Sequence, residues 1–220
     1  MPIESRSALV AGGTGLVGGR LLQLLGHDER YHQVTSLVRR EAPARAGVKS
    51  HLVDFGRLDE LSLEHVDDAF CCLGTTRRAA GSARAFRRVD LDYVVSFARL
   101  ARRARAVRFL LVSSLGASPR SSFLYTRTKG ECEAAIQAIG FPTVVILRPS
   151  FLVGERVERR PAEGVALHVA QLLMPALVGP LRRYAPVDAA AVAGTLVRAA
   201  ATAPEGVTIV ESGDIQLHAR

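Results

Sequence analysis

Apolar residues along the chain fall into two rhythms. Short apolar or alternating runs recur at Ala8–Ala11, Gln33–Val38, Val48–Val53, Val66–Leu73, Val107–Val112, Thr143–Leu147 and Gly206–Glu211. Each has the length and composition of a strand. Between them, apolar positions recur at helical spacing. Leu16, Val17, Leu21, Leu22, Leu24 and Leu25 mark a first helix. The stretch Ala83–Arg105 reads as one long helix, with Val89, Tyr93, Val94, Phe97, Leu100 and Ala101 facing a sheet and its arginines facing solvent. Further helices are predicted over Tyr125–Ile139, over Gly164–Pro175, and from Val187-Asp188 to about Ala201, with Asp188 as a first-turn acid. Strand alternating with helix predicts an α/β domain with a doubly wound, mostly parallel sheet. We expect one domain over 1–220, with a small C-terminal substrate-binding lobe at 149–186.

The junction between the first strand and the first helix carries Gly12, Gly15 and Gly18, three residues apart. A strand, a tight glycine turn and a helix N-terminus form an anion site, because free backbone N–H groups and the positive end of the helix meet there. This spacing differs from the commoner G-x-G-x-x-G, yet its context on both sides indicates a Rossmann-like nucleotide-binding turn. The second strand ends in Arg39-Arg40, where an NAD-binding chain would place an acid for the ribose hydroxyls. Guanidinium groups suit a 2′-phosphate, so the expected cofactor is NADP(H). Asp54, after the third strand, either accepts from the adenine amino group or caps the following turn toward Glu60 and Leu61. Gly74 and Thr75 end the fourth strand, where a small residue lets a cofactor lie against the backbone.

A second cluster follows the fifth strand. Ser113 and Ser114 end that strand, and Tyr125 and Lys129 stand at i and i+4 on the next helix, so the two share one face. An ammonium beside a phenol favours the phenolate, which suits a general acid or base acting on a carbonyl or alcohol. A strand-end serine can hold the same oxygen as charge develops; spacing does not choose between Ser113 and Ser114. Pro149 stops the sixth strand and shapes the loop on the nicotinamide side. Arg156, Arg159 and Arg160 lie near the expected substrate entrance, where they either hold an anionic group or cover the surface. The 164–175 helix either lines a substrate pocket or forms a homodimer face, with His168 in a structural role. Cys71 and Cys72 read as small core residues, since no base lies near them in sequence.

These motifs resemble the atypical short-chain dehydrogenase/reductases and, more narrowly, the Tat-interacting-protein family of NADPH-binding oxidoreductases. The likeness rests on the three glycines, Leu37-Val-Arg-Arg40, Val53-Asp-Phe55, Cys71-Cys-Leu-Gly-Thr-Thr-Arg77, Arg88-Val-Asp-Leu-Asp-Tyr-Val94, Ser113-Ser114, Leu124-Tyr125, Lys129-Gly-Glu131 and Arg148-Pro149. The resemblance implies that Thr14, Gly15, Leu16, Val17, Arg39, Arg40, Leu73, Gly74, Tyr125, Lys129, Leu152 and Arg160 lie along NADPH. It also implies that Tyr125 transfers the proton. One departure stands out: the wider superfamily often has Asn where this chain has Asp90.

Composition changes the picture in a few places. The formal charge is +8, carried mostly by arginines scattered in pairs, with few aromatics and no zinc-finger or RNA-stacking motif. Nucleic acid is therefore not the expected partner. Three cysteines, two of them adjacent, make neither a disulfide framework nor a metal site. With no membrane-span-length apolar run and no secretory signature, the chain reads as cytoplasmic. The expected activity is NADPH-dependent oxidoreduction of a carbonyl or secondary alcohol on a small-molecule substrate. An epimerase or dehydratase retaining its cofactor is the nearest enzymatic variant. A cofactor-sensing binding protein is the alternative from another class.

Overall fold

A computed structural model describes residues 5–154 and 183–217. β1 (Arg6–Ala11), β2 (Tyr31–Val38), β3 (Val48–Leu52), β4 (Asp68–Cys71), β5 (Arg108–Val112), β6 (Thr143–Arg148) and β9 (Gly206–Glu211) form one sheet in the order β3-β2-β1-β4-β5-β6-β9. Every pairing in it is parallel. Helices cover both faces, so alternate residues of a central strand enter opposite cores. Leu9 and Ala11 of β1, with Phe109 and Leu111 of β5, pack on one face with α4 (Tyr93–Arg103) and α5 (Leu124–Ala138). Ala8, Val10, Leu110 and Val112 pack on the other with α1 (Leu16–Leu25) and α6 (Ala189–Thr202). This is the doubly wound, Rossmann-like architecture expected.

The expected helix over Ala83–Arg105 is not continuous. α2 (Arg77–Ala80) and α3 (Ala83–Arg87) are followed by one π turn, Arg88–Asp92, before α4 begins. The inserted turn rotates α4 relative to a straight continuation of α3, as π insertions do. Val89 is thereby removed from the sheet-facing stripe. Val187-Asp188 forms the short strand β8, parallel to β7 (Leu152–Val153), rather than the first turn of a helix. Asp188 is the N-cap of α6, its carboxylate accepting from the Ala190 N–H at 2.7 Å. A last helix, α7 (Ser212–Leu217), follows β9. Of the expected lobe at 149–186, only its ends are described. The helix expected at 164–175, His168, Arg156, Arg159 and Arg160 lie outside the described residues.

Candidate functional site: a dinucleotide cleft

The carboxyl ends of β2, β1, β4 and β5 lie side by side, so the residues that come after them appear in that order across one edge. Arg39 follows β2, Gly12–Gly15 follow β1, Leu73–Thr75 follow β4 and Ser113-Ser114 follow β5. A cleft of about 470 Å³ opens there, lined by Gly12, Thr14, Gly15, Arg39, Leu73, Gly74 and Thr75 among others. Strand order reverses between β1 and β4, which is where ligands bind in open parallel sheets.

Gly12 shows why this turn needs glycine. Its φ is +84°, and a Cβ there would stand 2.5 Å from the carbonyl carbon and oxygen of Cys72. The turn must therefore run against the end of β4, leaving the cleft open above it. Gly15 is the N-cap of α1 and no side chain caps that helix. The first N–H groups of α1 are thus available to an anion. Val17 is a core residue and Gly18 is buried, so they can reach a cofactor only through the backbone. Leu16 is partly buried beside Gly154. An uncapped helix start over a glycine cradle, with no acid lining the cleft, fits a dinucleotide phosphate.

Arg39 and Arg40 are exposed, and among the described residues neither has a hydrogen-bond or ion-pair partner. Asp54 caps the short turn Phe55–Arg57, accepting from the Gly56 N–H at 2.8 Å, and the adjacent Phe55 lines the cleft. Sequence reasoning missed part of the opposite wall. Arg88, Val89 and Tyr93 line the cleft from the π turn and the start of α4, correcting the assignment of Val89 to the core, while Arg88 is exposed, as expected of the arginine face. Cys72 also lines it, with burial pushing its thiol up to about 12, so it is neutral near pH 7.

At the β4–β5 end the π turn buries Asp90 completely. Its Oδ2 accepts from the Thr75 N–H at 2.8 Å, and its Oδ1 lies 2.8 Å from the Lys129 ammonium. Burial works against the lysine's charge, but the Asp90 carboxylate, and after it Tyr125, holds its pKa above the ordinary lysine value. One signal in the sequence pointed here: Asp90, Val94 and Phe97 share one helical face. A carboxylate on an apolar face needs a buried partner.

Tyr125 is half-exposed one helical turn before Lys129, its ring stacked on the buried Phe86 at 5.6 Å. The two serines diverge. Ser113 is buried and donates to Glu133 at 2.5 Å, whereas Ser114 is partly exposed and, among the described residues, its hydroxyl reaches the Leu115 carbonyl at 3.3 Å. The loop after Ser114 lies flat on α5, since a Cβ on Gly130 would stand 2.2 Å from the carbonyl carbon of Ser118. The Leu115 N–H bonds the Pro149 carbonyl at 2.9 Å, joining this loop to the one after β6. Leu152 is exposed on β7.

A family model described as NAD(P)H-binding matches residues 12–170. Protein HTATIP2 of Rattus norvegicus is 40% identical over 170 residues, covering 74% of this chain and 70% of that protein. The chain belongs to this family of NAD(P)H-binding proteins, the Tat-interacting-protein family. Two fungal members are comparably similar. FMP52-1 of Scheffersomyces stipitis is 37% identical over 68% of this chain and 69% of its own length. The fmp52 protein of Emericella nidulans is 38% identical over 74% and 73%. Both are named as mitochondrial proteins, which overturns the cytoplasmic expectation. The reason is physical: composition and cysteine count describe solubility and thiol chemistry, and neither specifies a compartment.

Among solved structures, the UDP-N-acetylglucosamine 4-epimerase of Methanobrevibacter ruminantium M1 superposes with a TM-score of 0.69 at 15% identity, covering 94% of this chain and 77% of the other. MoeE5, in complex with UDP-glucuronic acid and NAD, gives 0.70 at 18%, covering 92% and 75%. These matches establish the fold. Among the described residues of this family member, no helix is long and apolar enough to cross a membrane.

Proposed function

We propose that the chain is an NADP(H)-dependent oxidoreductase acting on a carbonyl or secondary alcohol. The observation that carries the reading is a cleft rimmed by Arg39 at one end and by Gly74 further along, with the Lys129 ammonium within 3.6 Å of where a Gly74 Cβ would stand and Tyr125 one helical turn before Lys129. Bound NADPH would supply the hydride. Tyr125 Oη exchanges the proton with the substrate oxygen, and Lys129, one helical turn along α5 and held in place by Asp90, supports that exchange. Ser114 Oγ donates to the same oxygen, because the Ser113 hydroxyl is committed to Glu133. Arg39 and Arg40 take the 2′-phosphate, since neither guanidinium has another partner among the described residues. Thr14, Gly15, Leu16, Val17 and Gly18 hold the pyrophosphate through the start of α1.

Calorimetry with the Arg39→Ala/Arg40→Ala variant tests the cofactor assignment. Loss of charge-assisted hydrogen bonds should weaken NADPH by about 10- to 100-fold and leave NADH nearly unchanged. Equal affinity of the wild type for the two cofactors would defeat the assignment. Stopped-flow oxidation of NADPH against a panel of aldehydes and ketones tests the chemistry. Tyr125→Phe should retain cofactor binding and lose turnover. Unchanged turnover in that variant would show that Tyr125 is not the proton donor.

A further inference from the structure

We infer that Asp90 cancels the charge of Lys129 beside the reactive ring of the cofactor, so that the cleft holds oxidised and reduced NADP with similar strength. The inference rests on the NADP(H) reading above. Four observations carry it. Asp90 is fully buried, and both of its oxygens face donors, Thr75 N–H and the Lys129 ammonium, each at 2.8 Å. Apart from that ammonium, Oδ1 has no hydrogen-bond donor among the described residues. Both charges stand equally close to Gly74, since a Cβ there would lie 3.5 Å from Asp90 Oδ1 and 3.6 Å from Lys129 Nζ. Gly74 lines the cleft after β4, two strands from Arg39.

The reactive ring of a dinucleotide lies at the end of the cleft away from its 2′-phosphate, which places it toward β4 and β5. That ring is a pyridinium cation when oxidised and a neutral dihydropyridine when reduced. A lone buried ammonium would repel the first and be indifferent to the second. A balanced carboxylate–ammonium pair has only a dipolar field, which falls off faster with distance and separates the two forms little. Asn at this position would offer an acceptor to one of the two donors only and would leave the Lys129 charge uncancelled. A buried ion pair is a costly way to stabilise a fold, so its presence at the cleft wall is better explained by its charge balance than by packing.

The test is calorimetric binding of NADP+ and NADPH to the full chain as wild type, Asp90→Asn and Asp90→Asn/Lys129→Met. The wild-type affinities should lie within about threefold of each other, and Asp90→Asn should shift the ratio toward NADPH by about three- to tenfold. The double variant, neutral at both positions, should return the ratio to within about twofold of wild type even if both forms bind more weakly. An unmoved ratio in a folded Asp90→Asn protein, or a double variant that keeps the shifted ratio of Asp90→Asn, overturns the inference. If Asp90→Asn does not fold, wild type and double variant decide, and ratios differing by more than about threefold overturn it. Binding of neither form to the wild type would instead defeat the cofactor reading, and this inference with it.

Discussion

Glu133 is the test of how the carboxyl end of β5 is held. It projects from α5 with its side chain 4% exposed. Oε1 accepts from Ser113 Oγ and from Arg148 Nε at 3.1 Å, and Oε2 accepts from Arg148 Nη2 at 2.6 Å. Arg148 also reaches Glu211 at 3.0 Å. Removing one partner of a buried pair costs about 3–5 kcal/mol. In Glu133→Ala the guanidinium keeps Glu211 and is 21% exposed, so water relieves part of that cost. The low end, about 3 kcal/mol, is therefore expected, with the orphaned Ser113 hydroxyl contributing about 1 kcal/mol of it. In a chain of this size that lowers Tm by about 6–12 °C. Urea unfolding at pH 7.5 measures it, as a fall in midpoint at constant m-value. Ser113→Ala should cost only about 1 kcal/mol, since it removes one neutral donor. A Glu133→Ala cost below about 1 kcal/mol, or equal costs for the two variants, would refute the network as the anchor of this strand end.

Two other perturbations concern buried groups. The Tyr31 hydroxyl donates to the fully buried Asp68 at 2.6 Å, and Arg6 and Arg108 approach the same carboxylate at 3.4 and 3.0 Å. Tyr31→Phe should destabilise by about 1–2 kcal/mol in the same unfolding assay, and a neutral effect would show that the arginines alone satisfy Asp68. Burial pushes the Cys132 thiol from its ordinary 9.0 up to about 12. The folded state therefore keeps this proton when the unfolded chain has lost it. Its contribution is complete below pH 9 and is lost as pH rises from there toward 12. Between pH 8 and 10 the wild type should lose more stability than Cys132→Val, and parallel losses would count against the shift.

Much of the fold was legible because the main strands are buried on both faces, so they read as short apolar runs between turns. The run Gly206–Glu211 matches β9 at both ends, and Arg6 and Tyr31 extend β1 and β2 beyond their apolar stretches. β7 and β8 were not legible, being two residues each and defined only by their mutual pairing. The π turn at Arg88–Asp92 was not legible either. Its apolar spacing passes for a regular helix, and what selects the insertion is the burial of Asp90 against Lys129 and Thr75, neither of them near it in the chain.

By itself the sequence determined the class of the protein. The period of its apolar residues sets strand against helix, and Gly12, Gly15 and Gly18 mark the turn, with Gly12 at φ +84° running against the end of β4 where a Cβ would not fit. Arg39-Arg40 and Tyr125-Lys129 could be placed because each is a local pair, read from strand end or helical spacing alone. Tertiary structure decided which of these groups are available. It committed Ser113 to Glu133 and left Ser114 partly exposed, bonded to the neighbouring Leu115 carbonyl. It carried Arg88 and Val89 into the cleft wall and set a carboxylate against the catalytic candidate Lys129. Those outcomes depend on contacts between residues 15 to 39 positions apart, where direction and distance are set by how the helices pack on the sheet rather than by any local pattern.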